Sequence, residues 1–452
     1  MRAWARRSAE LQRELAAIAE VDPRWWLLAG GVAFAEVWAR PAVYLASDAG
    51  ADADTFMGYR APCPRDLVTD AIQRAEAART ALRELDGELP DQPLAVTIHP
   101  ASGGATRAST LEVAAFAIGD RCLVARLGDP TLATQLAAVL GGAAPRRWTG
   151  ATPFVCVALG DEPLVTARHG HRRAWTATGG PWLGLGRAGD VAVVSTCHLV
   201  VDGYGHARIA ARIAQLTGGA DEASPSTPAR PLPALGAVAG AVPLAVVWRE
   251  LPYPTPRVIP LAYAAGRILH RSAGRRDAKF SPTLQIPVAR GHKDDPIRFR
   301  RRVVSATTSV RFEHGEPEPF AAFEARVRAS IAREATASGL VSRLLAAARA
   351  VPVPLSWKRK SIGAKRPRWL ESFAEVIGGR ALLSRIAIDV STPPLCAVSS
   401  PSRLATPDDP VGGCVITIVD DGSQGAITLC GSGFAGTPRD AAAFLDELLA
   451  SV

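Results

Sequence analysis

The chain has 452 residues, 48% hydrophobic and 21% charged, which excludes an intrinsically disordered protein and allows a large single unit or two to three ordinary domains. Its 52 Lys and Arg against 43 Asp and Glu leave a net charge of +9, a balance suited to acidic partners: a nucleotide-bearing molecule, an acidic protein or an anionic lipid surface. Seven cysteines, at 63, 122, 156, 197, 396, 414 and 430, form no CxxC pair and no metal-ligand spacing; scattered through apolar runs, they read as reduced, buried thiols.

Apolar residues recur at helical spacing over 3–20 and more clearly over 65–85. The apolar stretch Trp25–Ala35 follows Glu10, Glu14, Glu20 and Asp22 with no basic segment leading into it, so it does not read as a signal peptide. Leu94–Ile98 reads as a short strand, and Glu112–Ile118 and Cys122–Leu127 flank Gly119-Asp120 as a hairpin. Residues 130–140 return to helix and Phe154–Leu159 to strand. Trp182–Gly186 then meets Val191–Val201 across the turn-forming quartet Arg187-Ala-Gly-Asp190. This second run is almost wholly apolar and β-branched, which implies burial on both faces. It ends at Asp202-Gly203, and Ala207–Leu216 follows as an amphipathic helix.

From about 218 to 290 the chain is rich in Pro, Gly and Ala, with short apolar helices expected near 234–248 and 259–270. The longest apolar run there, Ala234–Trp248, contains Pro243 and is shorter than the ~20 residues of a membrane span, so the expected location is the cytoplasm. Beyond it, 300–312, 386–390, 396–400, 414–419 and 426–430 read as strands and 319–334, 340–350 and 439–450 as helices, with a turn at Asp420-Asp421-Gly422. The expected fold class is α/β with mixed sheets: an N-terminal lobe over 1–217, a crossover over 218–290 and a C-terminal lobe over 291–452.

The segment His198-Leu-Val-Val-Asp202-Gly203 carries the chemistry. Neighbours on a strand point to opposite faces, so Cys197 and His198 cannot form a thiolate–imidazole dyad. A histidine ending a strand buried on both faces needs polar company, because an unpaired buried polar group is costly. Asp202 opens the turn that leaves the strand, and Gly203 permits a close approach that a side chain would block. His198, Asp202 and His206 are spaced by four and would share one metal-binding face on a helix, but Leu-Val-Val with Gly203 and Gly205 is poor helix material, and no metal is expected. The plain alternative is a satisfied core histidine beside an Asp-Gly turn.

The order of hairpin, apolar strand, His-x-x-x-Asp-Gly and helix over Trp182–Leu216 resembles the CoA-dependent acyltransferase superfamily. That superfamily includes chloramphenicol acetyltransferase, the plant BAHD acyltransferases, peptide-synthetase condensation domains and bacterial wax ester synthase/diacylglycerol acyltransferases. The C-terminal run Cys414–Ala450 and the segment Cys396-Ala-Val-Ser-Ser-Pro-Ser402 resemble the corresponding end and tunnel-lining strand of those proteins. The resemblance covers roughly 150–217 and 300–452 and is poor over the first 60 residues. It implies two chloramphenicol-acetyltransferase-like lobes with a tunnel between them and His198 within it as general base. The base would take a proton from a hydroxyl (favoured) or amine acceptor, which attacks a thioester. No bound cofactor is implied; acyl-CoA, or a phosphopantetheine thioester on an acyl carrier protein, is the co-substrate. The acceptor would be a small-molecule or lipid alcohol or amine, with no nucleic acid involved. In such a site Asp202 is structural and paired with an arginine, while Gly203 leaves room for substrate. Ser399 and Ser400 are candidates for steadying the oxyanion, or else loop serines before Pro401.

Three features depart from the resemblance. Many members carry two adjacent histidines, and the first is Cys197 here, which argues against a standard condensation domain. The BAHD Asp-Phe-Gly-Trp-Gly loop is absent, and Ser399-Ser400-Pro401-Ser402 stands where wax synthases carry an Asn-Val-Pro-Gly type segment. A catalytically silent scaffold of the same fold is the competing class. Elsewhere, Lys358, Arg359 and Lys360, with Lys365, Arg366 and Arg368, form the densest basic stretch, suited to the phosphates of CoA or phosphopantetheine, to peripheral contact with anionic lipid, or simply to solvent. Arg298–Arg302 is a second basic run, Arg168–Arg173 reads as surface, and His99–Gly104 as a turn.

Overall fold

The computed structural model describes residues 54–61, 64–86, 96–98, 106–108, 110–119, 121–151, 153–159, 181, 183–188, 191–197, 203–217, 245–272, 283–289, 303–336, 381–388, 395–399, 414–431 and 438–452. Its first half runs β1 (Asp54–Arg60), α1 (Leu67–Asp86), β2 (Val96–Ile98), β3 (Thr106–Ala108), β4 (Thr110–Ile118), β5 (Arg121–Arg126), α2 (Leu132–Leu140), β6 (Pro153–Ala158), β7 (Leu183–Ala188), β8 (Val191–Cys197) and α3 (Gly203–Leu216). The second half runs β9 (Ala245–Pro252), α4 (Val258–Ser272), β10 (Thr283–Ala289), β11 (Val303–Ser309), β12 (Phe312–Glu313), β13 (Glu316–Pro317), α5 (Phe320–Thr336), β14 (Ala381–Ala387), β15 (Leu395–Ser399), β16 (Cys414–Asp420), β17 (Gln424–Gly431) and α6 (Pro438–Ala450).

Two mixed sheets organise these elements, one of seven strands in the order β15-β1-β8-β7-β6-β4-β5 and one of six in the order β11-β10-β14-β16-β17-β9. The α/β class with mixed sheets is therefore what the chain adopts. In the first sheet, the apolar residues of α1 recur at Ala71, Ala75, Ala78 and Leu82, and all are fully buried. That helical stripe packs, with α2 and α3, on the sheet face made by Met57, Phe116, Val155, Leu185 and Val194. Asp66 caps α1: its carboxylate accepts from the backbone N–H of Val68 and Thr69, each at 3.1 Å. In the second sheet α4, α5 and α6 cover one face through residues such as Leu261, Phe323 and Leu445. Strand β16, between β14 and β17, is buried at all seven positions, which explains its near-continuous apolar sequence.

The core under the first sheet draws on both halves. Ile386, Ile388, Val419 and Ala426 of the second half belong to the same buried cluster as α1, α3 and the first sheet. The chain also crosses over: β15 pairs antiparallel with β1, Phe56 opposite Ser399. The stretch read as a crossover supplies β9, α4 and β10 to the second sheet. Residues 245–248, expected to be helical, are strand because β9 pairs with β17 along its whole length, from Ala245 opposite Gly431 to Pro252 opposite Gln424. Pairing partners far along the chain override a local apolar run. Helix α3 begins four residues before the expected Ala207 and includes both Gly203 and Gly205; burial of Ala207, Ala210, Ala211 and Ile213 outweighs the poor propensity of two glycines. The helices expected over 3–20 and 340–350 lie outside the described residues. Among the described residues, no helix is long and apolar enough to cross a membrane.

Candidate functional site

Strand β8 sets the site. It pairs with β1 on one side, from Asp54 opposite Cys197 to Arg60 opposite Val191, and with β7 on the other, from Leu183 opposite Thr196 to Ala188 opposite Val191. Partners on both sides fix its register and leave its backbone little freedom. Ala192 and Val194 face the helices, and Val193 lies against the small opposite-face group of Ala115, Ala117, Cys156 and Ala158. The chain leaves this strand at Cys197 and begins α3 at Gly203, so His198 and Asp202 belong to the short segment between two anchored ends. Both residues lie outside the described residues, as do Ser400 and the basic trio Lys358, Arg359 and Lys360.

Three observations define the ends of that segment. First, Thr196 and His206 are both fully buried, and Thr196 Oγ1 lies 2.8 Å from His206 Nδ1. This hydrogen bond ties the end of the strand to the first turn of the helix. Second, a Cβ added at Gly203 would stand 3.2 Å from Ile386 Cδ1 of β14. The start of α3 is thus pressed against the second sheet, and glycine permits the approach. Third, Ser195 of β8 and Ser399 of β15 both lie opposite Phe56 of the intervening β1. Both strands run antiparallel to β1, so their C-terminal ends emerge at the same edge of the sheet, two strand spacings or ~10 Å apart. The backbone of Ser399 therefore ends at the same end of the sheet as the strand that leads to His198, with β1 between them.

Sequence reasoning missed the Thr196–His206 pair, weighing His206 only as one corner of a metal face. The signal was available: alternation along β8 places Thr196 with Ala192 and Val194 on the helix-facing side, and His206 sits in the first turn of that helix. Its Nδ1 is occupied by the threonine hydroxyl. Among the described residues, no group of three or more His, Cys, Asp or Glu is arranged to hold a metal ion. The described cysteines at 122, 156 and 414 form no disulfide. Burial pushes the Cys122 thiol up to about 12 and the Cys156 thiol well above its ordinary range, so neither is a nucleophile near neutral pH.

The other end of β8 is built differently. A cleft of about 340 Å³ opens there, lined by Tyr59, Asp70, Gln73, Arg74, Arg187 and Ala192 among others. Asp70 Oδ2 lies 2.8 Å from Arg74 Nε and Asp70 Oδ1 lies 3.7 Å from Arg187 Nη1, with the two guanidiniums only 5% and 7% exposed. Arg187 Nη2 also donates to the Ala61 carbonyl at 3.0 Å. Burial pulls Arg74 below the usual arginine range, and the Asp70 carboxylate opposes that shift. The second sheet has its own charged knot at the end of β16, where Asp420 Oδ2 accepts from Arg385 Nε at 2.9 Å and from the Thr255 hydroxyl at 3.0 Å. Arg385 neighbours the Ile386 that meets Gly203.

No protein-family model and no curated protein matches the sequence. Among solved structures the chain is similar to the starter condensation domain of rhizomide synthetase RzmA, at 13% identity and a TM-score of 0.38, covering 94% of this chain and 93% of that one. It is similar also to the first condensation domain of the CDA synthetase, at 15% identity and a TM-score of 0.42, over 92% and 93% of the two chains. A third is the condensation domain from the Monacolin K polyketide synthase MokA, at 14% identity and a TM-score of 0.40, over 90% and 93%.

Proposed function

We propose that the chain is an acyltransferase that moves an acyl group from a thioester to a hydroxyl acceptor, with His198 as general base. The observation that carries this reading is the His198-x-x-x-Asp202-Gly203 motif, bounded by a strand paired on both sides and by a helix start seated against the second sheet. A base in this position takes the proton from the acceptor hydroxyl, the oxygen attacks the thioester carbonyl carbon, the carbon–sulfur bond breaks, and the proton passes to the departing thiolate. One positioned base contributes ~10²–10⁴-fold to such a step. The donor is acyl-CoA; a phosphopantetheine thioester on a carrier protein presents the same reacting group.

In this reading Asp202 pairs with an arginine and fixes the turn; it is not the proton acceptor, since a carboxylate is a weaker base than imidazole near neutral pH. Ser399 and Ser400 steady the oxyanion, with the emergence of β15 and β8 at the same end of the first sheet in favour of that role. Lys358, Arg359 and Lys360 hold donor phosphates. The test is mass spectrometry of the purified protein incubated with acyl-CoA and acyl-carrier-protein donors and with alcohol and amine acceptors. Acceptor-dependent release of free thiol with acylated acceptor supports the reading, and the productive donor decides between CoA and carrier. No release from any donor contradicts it.

A further inference from the structure

We propose that the cleft at the Val191 end of β8 binds a small oxyanion, the carboxylate or phosphate group of a metabolite, through Arg74, Gln73 and Arg65. The cleft holds about 340 Å³, and its walls come from the first turns of α1, from Tyr59 of β1, Arg187 of β7, Ala192 of β8 and Thr217 at the end of α3. It lies at the opposite end of β8 from the His198 motif, so the site stands apart from the acyl-transfer reading.

Arg74 carries the argument. Its side chain is 5% exposed, with Nε 2.8 Å from Asp70 Oδ2, and Nη2 donates to the Ala158 carbonyl at 3.4 Å. Its Nη1 is buried and has no hydrogen-bond partner. A guanidinium offers five N–H donors and no acceptor, and a buried donor left unmade on a charged group is costlier than on a neutral one. Burial pulls Arg74 below the usual arginine range; the Asp70 carboxylate opposes that shift, and the charge of Arg187 adds to it. An oxyanion seated in the depth of the cleft supplies the missing acceptor and a counter-charge together, and two of its oxygens match the fork of a guanidinium.

The mouth of the cleft suits the same ligand. Arg65 and Gln73 line it from exposed positions and offer a cation and an amide N–H. The carboxylate at the rim, Asp66, is engaged in capping α1: it accepts from the backbone N–H of Val68 and Thr69 and from the Thr69 hydroxyl. Ala61, Pro64 and Ala192 give the cleft an apolar side, against which the uncharged part of a small metabolite can rest.

The experiment titrates inorganic phosphate and, separately, acetate into the full chain by calorimetry at constant ionic strength, with chloride as the control anion. The parent is compared with Arg74→Gln, Gln73→Glu and Arg65→Gln. One saturable site per chain is expected for at least one of the two oxyanions and none for chloride, with a melting temperature that climbs as that oxyanion is raised; the tighter of the two assigns the ligand group. Arg74→Gln is expected to weaken binding ~10- to 100-fold, the worth of one hydrogen bond to a charged group. Gln73→Glu puts a like charge at the exposed mouth and should weaken binding at least ~5-fold, with the ligand-free melting curve unchanged. Arg65→Gln should weaken it ~2- to 5-fold, as for an exposed ion pair. Should Arg74→Gln fail to fold, the two surface variants decide. Absence of saturable binding of either oxyanion would overturn the proposal, and so would parental affinity in Gln73→Glu or in a folded Arg74→Gln. None of these readouts uses turnover, so the outcome is independent of whether His198 acts as a base.

Discussion

At its Val191 end, strand β8 meets a carboxylate held between two buried guanidiniums; at its Cys197 end, it meets a threonine–histidine hydrogen bond and the segment of His198 and Asp202. The first end uses full charges to clamp α1 onto the β7–β8 hairpin, with Asp70 on the helix and Arg187 on the strand. The second uses a side-chain hydrogen bond and close packing, with Thr196 bonded to His206 and Gly203 set against Ile386. About 20 Å of strand separates them, at ~3.3 Å per residue. The division teaches where each kind of damage should appear. Removing a charge at the first end should cost stability and spare the reaction, and disturbing the second should cost rate first.

The largest stability effect is expected at the charged end. Asp70→Ala leaves Arg74 and Arg187 without the carboxylate they share, and breaking such a buried pair costs roughly 3–5 kcal/mol. Denaturant unfolding should show the lower midpoint, while turnover per folded molecule stays within about twofold of the parent. A variant that unfolds like the parent would show that the cluster is not a clamp.

A smaller effect sharpens the other side of the comparison. Gly203→Val forces a branched side chain toward Ile386, and overpacking of this kind costs about 1–3 kcal/mol. Ile386→Ala added to Gly203→Val should return part of that loss by vacating the space. Equal stability of Gly203→Val and the parent, or no recovery in the pair, would mean that α3 does not rely on this approach.

Much of this arrangement was legible in the sequence because it is local. The helix of 65–85 carries a complete apolar stripe, the hairpin from Glu112 to Leu127 turns at Gly119, where φ is +59°, and the run from Val191 has the largely apolar, β-branched character of a doubly buried strand. The parts that were not legible depend on partners distant along the chain. Nothing near Leu395–Ser399 signals that this strand joins Phe56 in the first sheet. Nothing near Ala245 signals pairing with Gly431. The motif His198-x-x-x-Asp202-Gly203 was visible as a pattern, but the Thr196–His206 bond that flanks it requires knowing that α3 folds back over β8. Helix propensity discounted the start of α3 at Gly203 and so hid the place of His206 in its first turn.

Proton transfer at the Cys197 end of β8 stands or falls with His198→Ala, with turnover and melting measured on the same preparation. Thiol release is expected to fall by at least ~10²-fold with an unchanged melting curve, the reverse of the result expected for Asp70→Ala. A folded His198→Ala protein that releases thiol at the parental rate would contradict it.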